Sequence, residues 1–317
     1  MAADRLDEVY IEQLRNQGEG RALYFKVGEN HMKPGTCGYF TETRQWRPIV
    51  HLGDAEPSEL AAEGWDPPTD ALRIVSQDGI EWPIKYSASV TDISTAVEAG
   101  ASVPGAPVLG KFSMNFRTGR GAGAVLLSEG VVNSHQLERD SLAYQWVKKP
   151  RNMQKLLADW ETELSEERRT LWLITSTYVV DSCALAVLRS ETSCARIGMD
   201  IQTVNVAQAS ASASWWRQGS DQTWNKYKKT DTGPVVVFMS GVAFRTGRFR
   251  TSKLFPNVGQ GPKTRAGSSK PLHYPLNSAG AEDDPWVADI IPYYDGERAG
   301  ELRKLLDDLA NEKASQR

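Results

Sequence analysis

Small apolar and polar side chains alternate along one stretch of the chain. In residues 207–216, AQASASASWW, alanines take every odd position from 207 to 213 and polar residues take the even ones. Because the side-chain period of a β-strand is two, this pattern predicts a strand with one apolar face. Ile197, Met199 and Ile201 continue the odd-numbered side upstream. A buried CH₂ group is worth about 0.8 kcal/mol, so we expect a strand of alanines to be held weakly.

Strands dominate the elements predicted from the rest of the pattern. Residues 2–16 and 134–167 have apolar residues at three- and four-residue spacing and predict helices, the second interrupted at Pro150. Residues 234–244, PVVVFMSGVAF, are nearly all apolar and predict a buried central strand. Short β-prone runs bounded by Gly, Pro or Asp predict further strands at 21–27, 47–53 and 71–77.

Two longer regions, residues 84–116 and 172–216, are interpreted as hairpins. The first is rich in Ser, Thr, Ala and Gly and has a turn signal at 104–107. The second has a long apolar strand, a turn around 191–194 and the returning strand described above. Each arm exceeds the roughly 9 to 11 residues with which a strand crosses a bilayer, and its terminal tryptophans suit a membrane interface. Ordinary edge strands with core tryptophans are the alternative interpretation.

Composition and charge narrow the class of protein. With 317 residues, 40% hydrophobic and 24% charged, the chain suits one large globular domain or two modest ones. No window approaches about 20 apolar residues and no secretory leader is recognised, so we expect a soluble, cytosolic protein. Residues 226–270 carry ten basic residues against one acid, whereas residues 271–317 carry twice as many acids as bases. The acidic tail can therefore lie on the basic body and compete with an anionic partner, or be a solvated tail.

Motifs for catalysis are not found in the sequence. The four histidines and three cysteines lack metal-ligand spacing, and we expect the thiols to be free. GRGAGA, residues 119–124, fits a dinucleotide fingerprint formally, but a Ser-Glu-Gly break follows where a helix is required. A glycine loop is the preferred interpretation, and no enzyme, metal site or cofactor is predicted.

The order of these segments resembles the pore-forming domain of gasdermins over residues 1–255, and the short tail is most similar to the fungal cell-death members. An N-terminal helix and short strands precede an Ala/Ser/Thr-rich hairpin region, 84–116, and a helical insert, 136–167. The strand LWLITSTYVV then leads into the second hairpin region, and VVVFMSGVAF takes the place of the last core strand.

The resemblance implies an α+β fold around a twisted antiparallel sheet with flanking helices, followed by a short C-terminal helical inhibitory segment. The implied domains are a pore-forming domain (1–256), an exposed linker open to proteolysis (257–270) and an autoinhibitory segment (271–317). Cleavage by an activating protease would release a cytoplasmic protein to the plasma membrane or another membrane with acidic lipids. There it would form a homo-oligomeric β-barrel pore that causes cell death, without a cofactor and without nucleic acid.

The resemblance also implies roles for individual residues. Candidates for binding acidic phospholipid are Arg245, Arg248, Arg250, Lys253, Lys148, Lys149 and Arg151. Membrane-hairpin candidates are Ile197, Met199, Ile201, Ala209, Ala211, Trp215 and Trp216. The autoinhibitory face would be formed by Leu302, Leu305, Leu306 and Leu309. Cleavage would follow Lys263, Arg265 or Lys270, and Cys194, near the tip of the second hairpin, would be a modifiable thiol.

Two other classes of function are compatible with the sequence. A lipid- or carbohydrate-binding β-protein that never inserts would bind vesicles with or without the tail and release nothing. A nucleic-acid-binding module would use the basic, Trp-containing residues 215–253 and would bind in a strongly salt-dependent way. The negative net charge of −3 disfavours the second class.

Overall fold

The described part of the chain has an α+β fold dominated by antiparallel sheets, with few helices. The computed structural model describes residues 5–41, 43–53, 55–99, 109–119, 121–149, 151–152, 155–156, 170–190, 193–202, 224–229, 233–246, 272–275 and 286–290. The α-helices whose bounds are given for these residues are α1 (Leu6–Gln13), α2 (Pro57–Ala62) and α3 (Asp140–Lys148). The strands are β1 (Arg21–Ala22), β2 (Thr36–Phe40), β3 (Trp46–His51), β4 (Ile74–Ile80), β5 (Lys85–Tyr86), β6 (Val90–Ala99), β7 (Leu109–Thr118), β8 (Gly123–Leu137), β9 (Leu171–Leu188), β10 (Cys194–Gln202), β11 (Trp224–Lys228), β12 (Val235–Thr246), β13 (Leu272–Pro275) and β14 (Trp286–Ile290).

The chain divides into two compact units, each built from three segments of sequence. The first unit comprises Met1–Asn30, Ser76–His135 and Thr177–Met239. The second unit comprises His31–Val75, Gln136–Ser176 and Ser240–Arg317.

The first unit is built around a sheet in which β8 pairs with β4, β5 and β9, and β11 pairs with β9. We call this the main sheet. One of its faces packs against α1, where Tyr10 and Leu126 belong to the same buried cluster. Its other face packs against a separate sheet of β6, β7 and β10, where Ala184 and Phe116 share a second cluster. Both faces are therefore buried, which explains why β9 is almost continuously apolar.

The second unit has its own core between β2, β3 and the helices α2 and α3. Trp65 and Trp146 are buried with their ring centroids 5.5 Å apart, and Leu173 at the start of β9 joins the same cluster. Asn152, fully buried, accepts a hydrogen bond from the Asp66 amide at 2.7 Å and donates one to the Trp146 carbonyl at 2.9 Å. In the tail, β14 pairs with β12 and β13 pairs with β14, both antiparallel.

Most strands predicted from the sequence are confirmed, with shifts in their bounds. The N-terminal helix is α1, and the central strand predicted at 234–244 is β12, whose residues 235–243 are all buried. The helix predicted from residue 134 is wrong over its first residues, because β8 continues to Leu137 and α3 begins at Asp140. Helix α3 ends two residues before Pro150, since proline disfavours helical backbone in the residue before it.

The glycine-rich stretch 119–124 leads into a strand. β8 begins at Gly123, and Gly121 has a φ of +66°, in the left-handed region that glycine adopts without strain. A dinucleotide site requires a helix directly after the glycines. The loop interpretation is therefore confirmed, and the dinucleotide interpretation is excluded.

Candidate membrane-inserting sheet

The sheet formed by β6, β7 and β10, called the small sheet below, joins both regions that the sequence marked as hairpins. β6 and β7 form an antiparallel hairpin in which Ala99 lies opposite Gly110. β10 runs antiparallel along the other edge of β7, from Cys194 opposite Arg117 to Gln202 opposite Leu109. The β6–β7 connection and the residues after Gln202 therefore leave the small sheet at the same end.

This pairing corrects the second predicted hairpin. The sequence pattern predicted that the strand after the turn at 191–194 returns along β9, but β10 pairs with β7. β11 pairs with residues 182–186 of β9. The alternating pattern predicted a strand but carried no information on its partner, because any antiparallel neighbour satisfies the same alternation. The stretch between β10 and β11, which contains the Ala/Ser run, lies outside the described residues.

The small sheet packs on the main sheet through a cluster of eleven buried residues, three of which are alanines. From the main sheet come Val125, Leu127, Ala184, Ala186, Leu188 and Trp224. From the small sheet come Val90, Met114, Phe116, Ala195 and Ile197. The ring of Phe116 meets that of Trp224 edge to face, with centroids 5.8 Å apart. Since alanine buries little area, the attachment depends mainly on the eight larger side chains of this cluster.

Polar contacts add to this attachment at its edges. The Trp224 indole Nε1 donates to the Arg196 carbonyl at 2.9 Å, which links β11 to β10. Thr118 Oγ1 donates to the Ser190 carbonyl at 2.8 Å. Each such bond contributes about 1 kcal/mol net, so both are weak relative to a whole packed sheet.

The base of the β6–β7 hairpin is tied to the residues around the end of α1. The Ser89 hydroxyl donates to Gln13 Oε1 at 2.8 Å, and Gln17 Nε2 donates to the Tyr86 carbonyl at 2.8 Å. Lys85 forms an ion pair with Glu19 in which both side chains are largely buried. Breaking a buried pair by removing one partner is costly, so this end of the hairpin is well anchored.

The predicted hairpin residues are only partly within the described chain. Ile197 lies in β10 and is fully buried, and Met199 and Ile201 lie in the same strand. Cys194 is exposed and free, whereas Cys37 and Cys183 are buried and free. Cys194 begins β10 opposite Arg117, directly after the turn that follows β9, and its role as a modifiable thiol stays a prediction. Outside the described residues are Ala209, Ala211, Trp215 and Trp216.

The predicted lipid-binding residues lie around the end of α3, in β12 and outside the described residues. Lys149 Nζ donates to the Pro67 carbonyl, and Arg151 contacts Asp66 at 3.3 Å while 62% of its side chain stays exposed. Lys148 is the last residue of α3. Arg245 lies in β12, where its backbone is opposite Val287 of the tail strand β14. Outside the described residues are Arg248, Arg250 and Lys253.

A different basic and aromatic surface, missed in the sequence, lies in the first unit. Phe25 is 39% exposed, and its ring meets Tyr24 edge to face at 5.4 Å. Lys26, the next residue, donates from its Nζ to the Lys228 carbonyl at 3.4 Å, so it contacts the end of β11. The run at 21–27 predicted a strand, but β1 ends at Ala22 and Phe25 is left outside any strand. We call Phe25, Lys26 and Lys228 the Phe25 surface.

The tail is described only at its two strands. The linker 257–270, its cleavage candidates Lys263, Arg265 and Lys270, and the leucines Leu302, Leu305, Leu306 and Leu309 lie outside the described residues. The described tail residues form two strands, of which β14 pairs with β12 and β13 pairs with β14, whereas the sequence predicted a helical segment.

Comparison with known proteins assigns no family. No protein-family model matches the chain and no curated protein matches it, so nothing points to an enzyme family. Among the described residues, no group of His, Cys, Asp or Glu could hold a metal ion. The helices described for this chain are all too short or too polar to span a membrane.

Proposed function

We propose that the protein is an autoinhibited pore former, similar to gasdermins, that binds membranes containing acidic lipids after its tail is cut. On such a membrane the small sheet leaves the main sheet, and its strands extend into the bilayer together with residues 203–223. Several copies assemble into the pore. β9, which the sequence pattern placed in a membrane hairpin, stays in the main sheet in this proposal.

The observation that carries the proposal is the common direction of the two membrane segments. The register of β10 on β7 leaves both the β6–β7 connection and the residues after Gln202 at one end of the small sheet. Strands that enter a bilayer from one side must present their tips together. Two hairpins with opposite directions could not do so without re-pairing.

The packing of the small sheet fits an element that has to detach. Three of the eleven cluster residues are alanines, which bury little area, and a single layer can open at a lower free energy than the global unfolding of the protein. At the other end of the hairpin, the buried Lys85–Glu19 pair anchors the base. Detachment would therefore begin at the tip end and leave the base attached.

The tail strand β14 offers a physical basis for inhibition. It adds to β12 from Ala243 to Thr246, so main-chain hydrogen bonds hold the tail to the body. Arg245, a predicted lipid ligand, lies within this paired stretch. Cleavage between residues 257 and 270 would make the tail strand a separate chain that can dissociate, which would open this edge to lipid.

The Phe25 surface is the part of the described chain that best suits first contact with a membrane. An exposed ring can enter the interface, while neighbouring lysines are attracted to anionic head groups, with about 1 kcal/mol for each basic residue. Attraction to acidic lipid would concentrate the cut protein on the surface before the small sheet moves.

Dye release from vesicles tests the proposal. The full chain and the same chain cut by protease within 257–270 are added to vesicles with anionic or neutral lipids. We expect the cut chain alone to release dye, and only from anionic vesicles. Binding of the cut chain without release would contradict the pore and favour a lipid-binding protein that does not insert. Equal release by both chains would contradict inhibition by the tail.

A further inference from the structure

A serine, a histidine and a glutamate of the first unit are linked near the end of β8. The Ser76 hydroxyl lies 2.8 Å from His135 Nδ1, and Glu29 Oε1 lies 3.2 Å from His135 Nε2. Both ring nitrogens of His135 therefore have a partner, one a hydroxyl and the other a carboxylate. Nucleophilic serines are activated by this combination, in which a base contacts the hydroxyl and a third group orients the base.

Three different elements hold these side chains. Ser76 lies in β4 and His135 lies in β8, two strands that pair in the main sheet. Glu29 begins a short 3₁₀ turn, and its backbone amide donates to the Pro234 carbonyl at 2.9 Å. The hydroxyl and the carboxylate therefore reach His135 from separately anchored segments of the first unit.

The contact with Glu29 determines which nitrogen of His135 carries the proton. An ionised carboxylate only accepts hydrogen bonds, so this contact requires the proton on Nε2. In a neutral imidazole the other nitrogen, Nδ1, is then an acceptor. It can take the proton of the Ser76 hydroxyl, since 2.8 Å falls within the range of about 2.6 to 3.2 Å for a general base.

The surroundings of Ser76 allow access from solution. Ser76 is exposed, whereas the side chains of His135 and Glu29 are only 17% and 29% exposed. Asp78 follows two residues later on β4 and is exposed too, and the alternation of a strand places it on the side of Ser76. Two carboxylates near the hydroxyl favour a neutral or cationic reactant over an anionic one.

We propose that Ser76 is an activated serine that accepts the acyl group of a neutral or cationic ester, with His135 as the general base and Glu29 as a positioning residue. A bond forms between Ser76 Oγ and the carbonyl carbon while the hydroxyl proton moves to His135 Nδ1. The bond from this carbon to the alcohol oxygen of the ester then breaks, and the leaving alcohol takes the proton.

The product of this step is an O-acyl serine and a free alcohol. One transfer for each chain is sufficient, so the site is a modification site. The inference goes beyond the proposed function and does not depend on it, because all three residues are in place in the uncut chain.

Acetylation by p-nitrophenyl acetate, a neutral ester, tests the proposal. The uncut chain is treated near neutral pH without vesicles, and acetyl groups are located and timed by mass spectrometry. Ser58 is the internal reference, because it is an exposed serine of α2 and no histidine is among its described contacts. We expect Ser76 to react faster than Ser58 by about 100-fold or more, which is the contribution of a positioned general base. Equal rates at the two serines would overturn the proposal.

Variants test the roles of the two partners. His135→Gln should lower the rate at Ser76 to that at Ser58, whereas His31→Gln replaces an exposed histidine elsewhere and should leave it unchanged. Glu29→Gln should slow acetylation by about tenfold or more, because the carboxylate that holds the proton on Nε2 is lost. Glu29→Asp keeps a carboxylate and should retain more of the rate. An unchanged rate in His135→Gln would overturn the proposal.

The tautomer of His135 distinguishes a chemical role from a structural one. Nitrogen-15 chemical shifts of the imidazole report which nitrogen carries the proton, and His135→Gln identifies the signals. We expect the proton on Nε2 in the natural chain and a mixture of tautomers in Glu29→Gln, with thermal denaturation to check that each variant is folded. A proton on Nδ1 in the natural chain would overturn the proposal. An unchanged tautomer and rate in Glu29→Gln would overturn the positioning role of Glu29.

Discussion

Tyr227 illustrates how a single side chain joins distant segments of the first unit. Its hydroxyl donates to the Tyr24 carbonyl at 3.0 Å, which links β11 to the residues after β1. Burial raises the pKa of Tyr227 to about 12, and burial also raises the pKa of Tyr10 and of Tyr24. A partly buried phenol that donates this hydrogen bond stabilises the fold while it remains neutral.

The sign of the resulting pH dependence follows from linkage. Because the folded-state pKa of Tyr227 exceeds the unfolded value of about 10, its stabilisation is complete below pH 10 and is lost as the pH rises toward 12. We expect the free energy of unfolding to fall over this range in urea titrations. Tyr227→Phe should cost about 1 kcal/mol at neutral pH, through the lost hydrogen bond, and should flatten the alkaline fall. An unchanged slope would show that Tyr227 does not contribute to it.

At the scale of one residue, we predict that the Phe25 ring contributes to membrane binding. Phe25→Ala removes an exposed ring beside Lys26, so we expect binding to anionic vesicles to weaken by roughly tenfold, as measured by cosedimentation of the cut chain. Val131→Ala removes another exposed apolar side chain, on β8, and serves as the control. Equal loss in both variants would mean that general surface hydrophobicity, and not the Phe25 surface, drives binding.

Among the elements, β10 links the small sheet to β11 of the main sheet. In the proposed function, this link must break before the small sheet can leave the main sheet. Trp224→Phe keeps most of the ring against Phe116 but removes the bond from the indole nitrogen to the Arg196 carbonyl. The loss of about 1 kcal/mol should speed dye release by the cut chain roughly fivefold. Trp46→Phe removes a similar bond to the His31 carbonyl in the second unit and should leave the rate unchanged. Slower release in Trp224→Phe would contradict detachment as the limiting step.

In the second unit, β12 and β9 approach each other closely at Gly241. A Cβ atom added at Gly241 of β12 would clash with the Leu173 carbonyl oxygen of β9, so the backbone would have to move. We expect Gly241→Ala to lower the free energy of unfolding by about 3 kcal/mol, as measured by thermal denaturation. Gly53→Ala meets its nearest atom at 3.6 Å and should be tolerated. Equal stability of the two variants would contradict the close packing of β12 on β9.

Local pattern predicted the elements better than it predicted their neighbours. The apolar run of β12 and the spacing of α1 indicate their structure directly, since burial on both faces or on one stripe leaves a clear periodicity. The partner of β10 depends on which edge is free in the folded protein, and no residue of β10 encodes that. Phe25 was missed for a related reason, because a β-prone run does not tell which of its residues remains outside the strand.

For the whole molecule, the proposed function depends on two groups of strands. The main sheet stays folded, and the small sheet moves into the membrane. The main sheet is buried on both faces, whereas the small sheet is joined to it through one apolar cluster and a hairpin base anchored near α1. Such a protein can keep its main sheet folded while its small sheet changes conformation.

The most direct test of this division is the position of the β6–β7 connection on the membrane. Cys194, exposed where Cys37 and Cys183 are buried, is replaced by Ser, and a fluorophore is attached at Val103→Cys in the connection or at Val131→Cys on β8. On anionic vesicles we expect a lipid-attached quencher to quench the label at 103 in the cut chain and to spare the label at 131. A label at 103 that stays in water while the cut chain binds and releases dye would contradict the account.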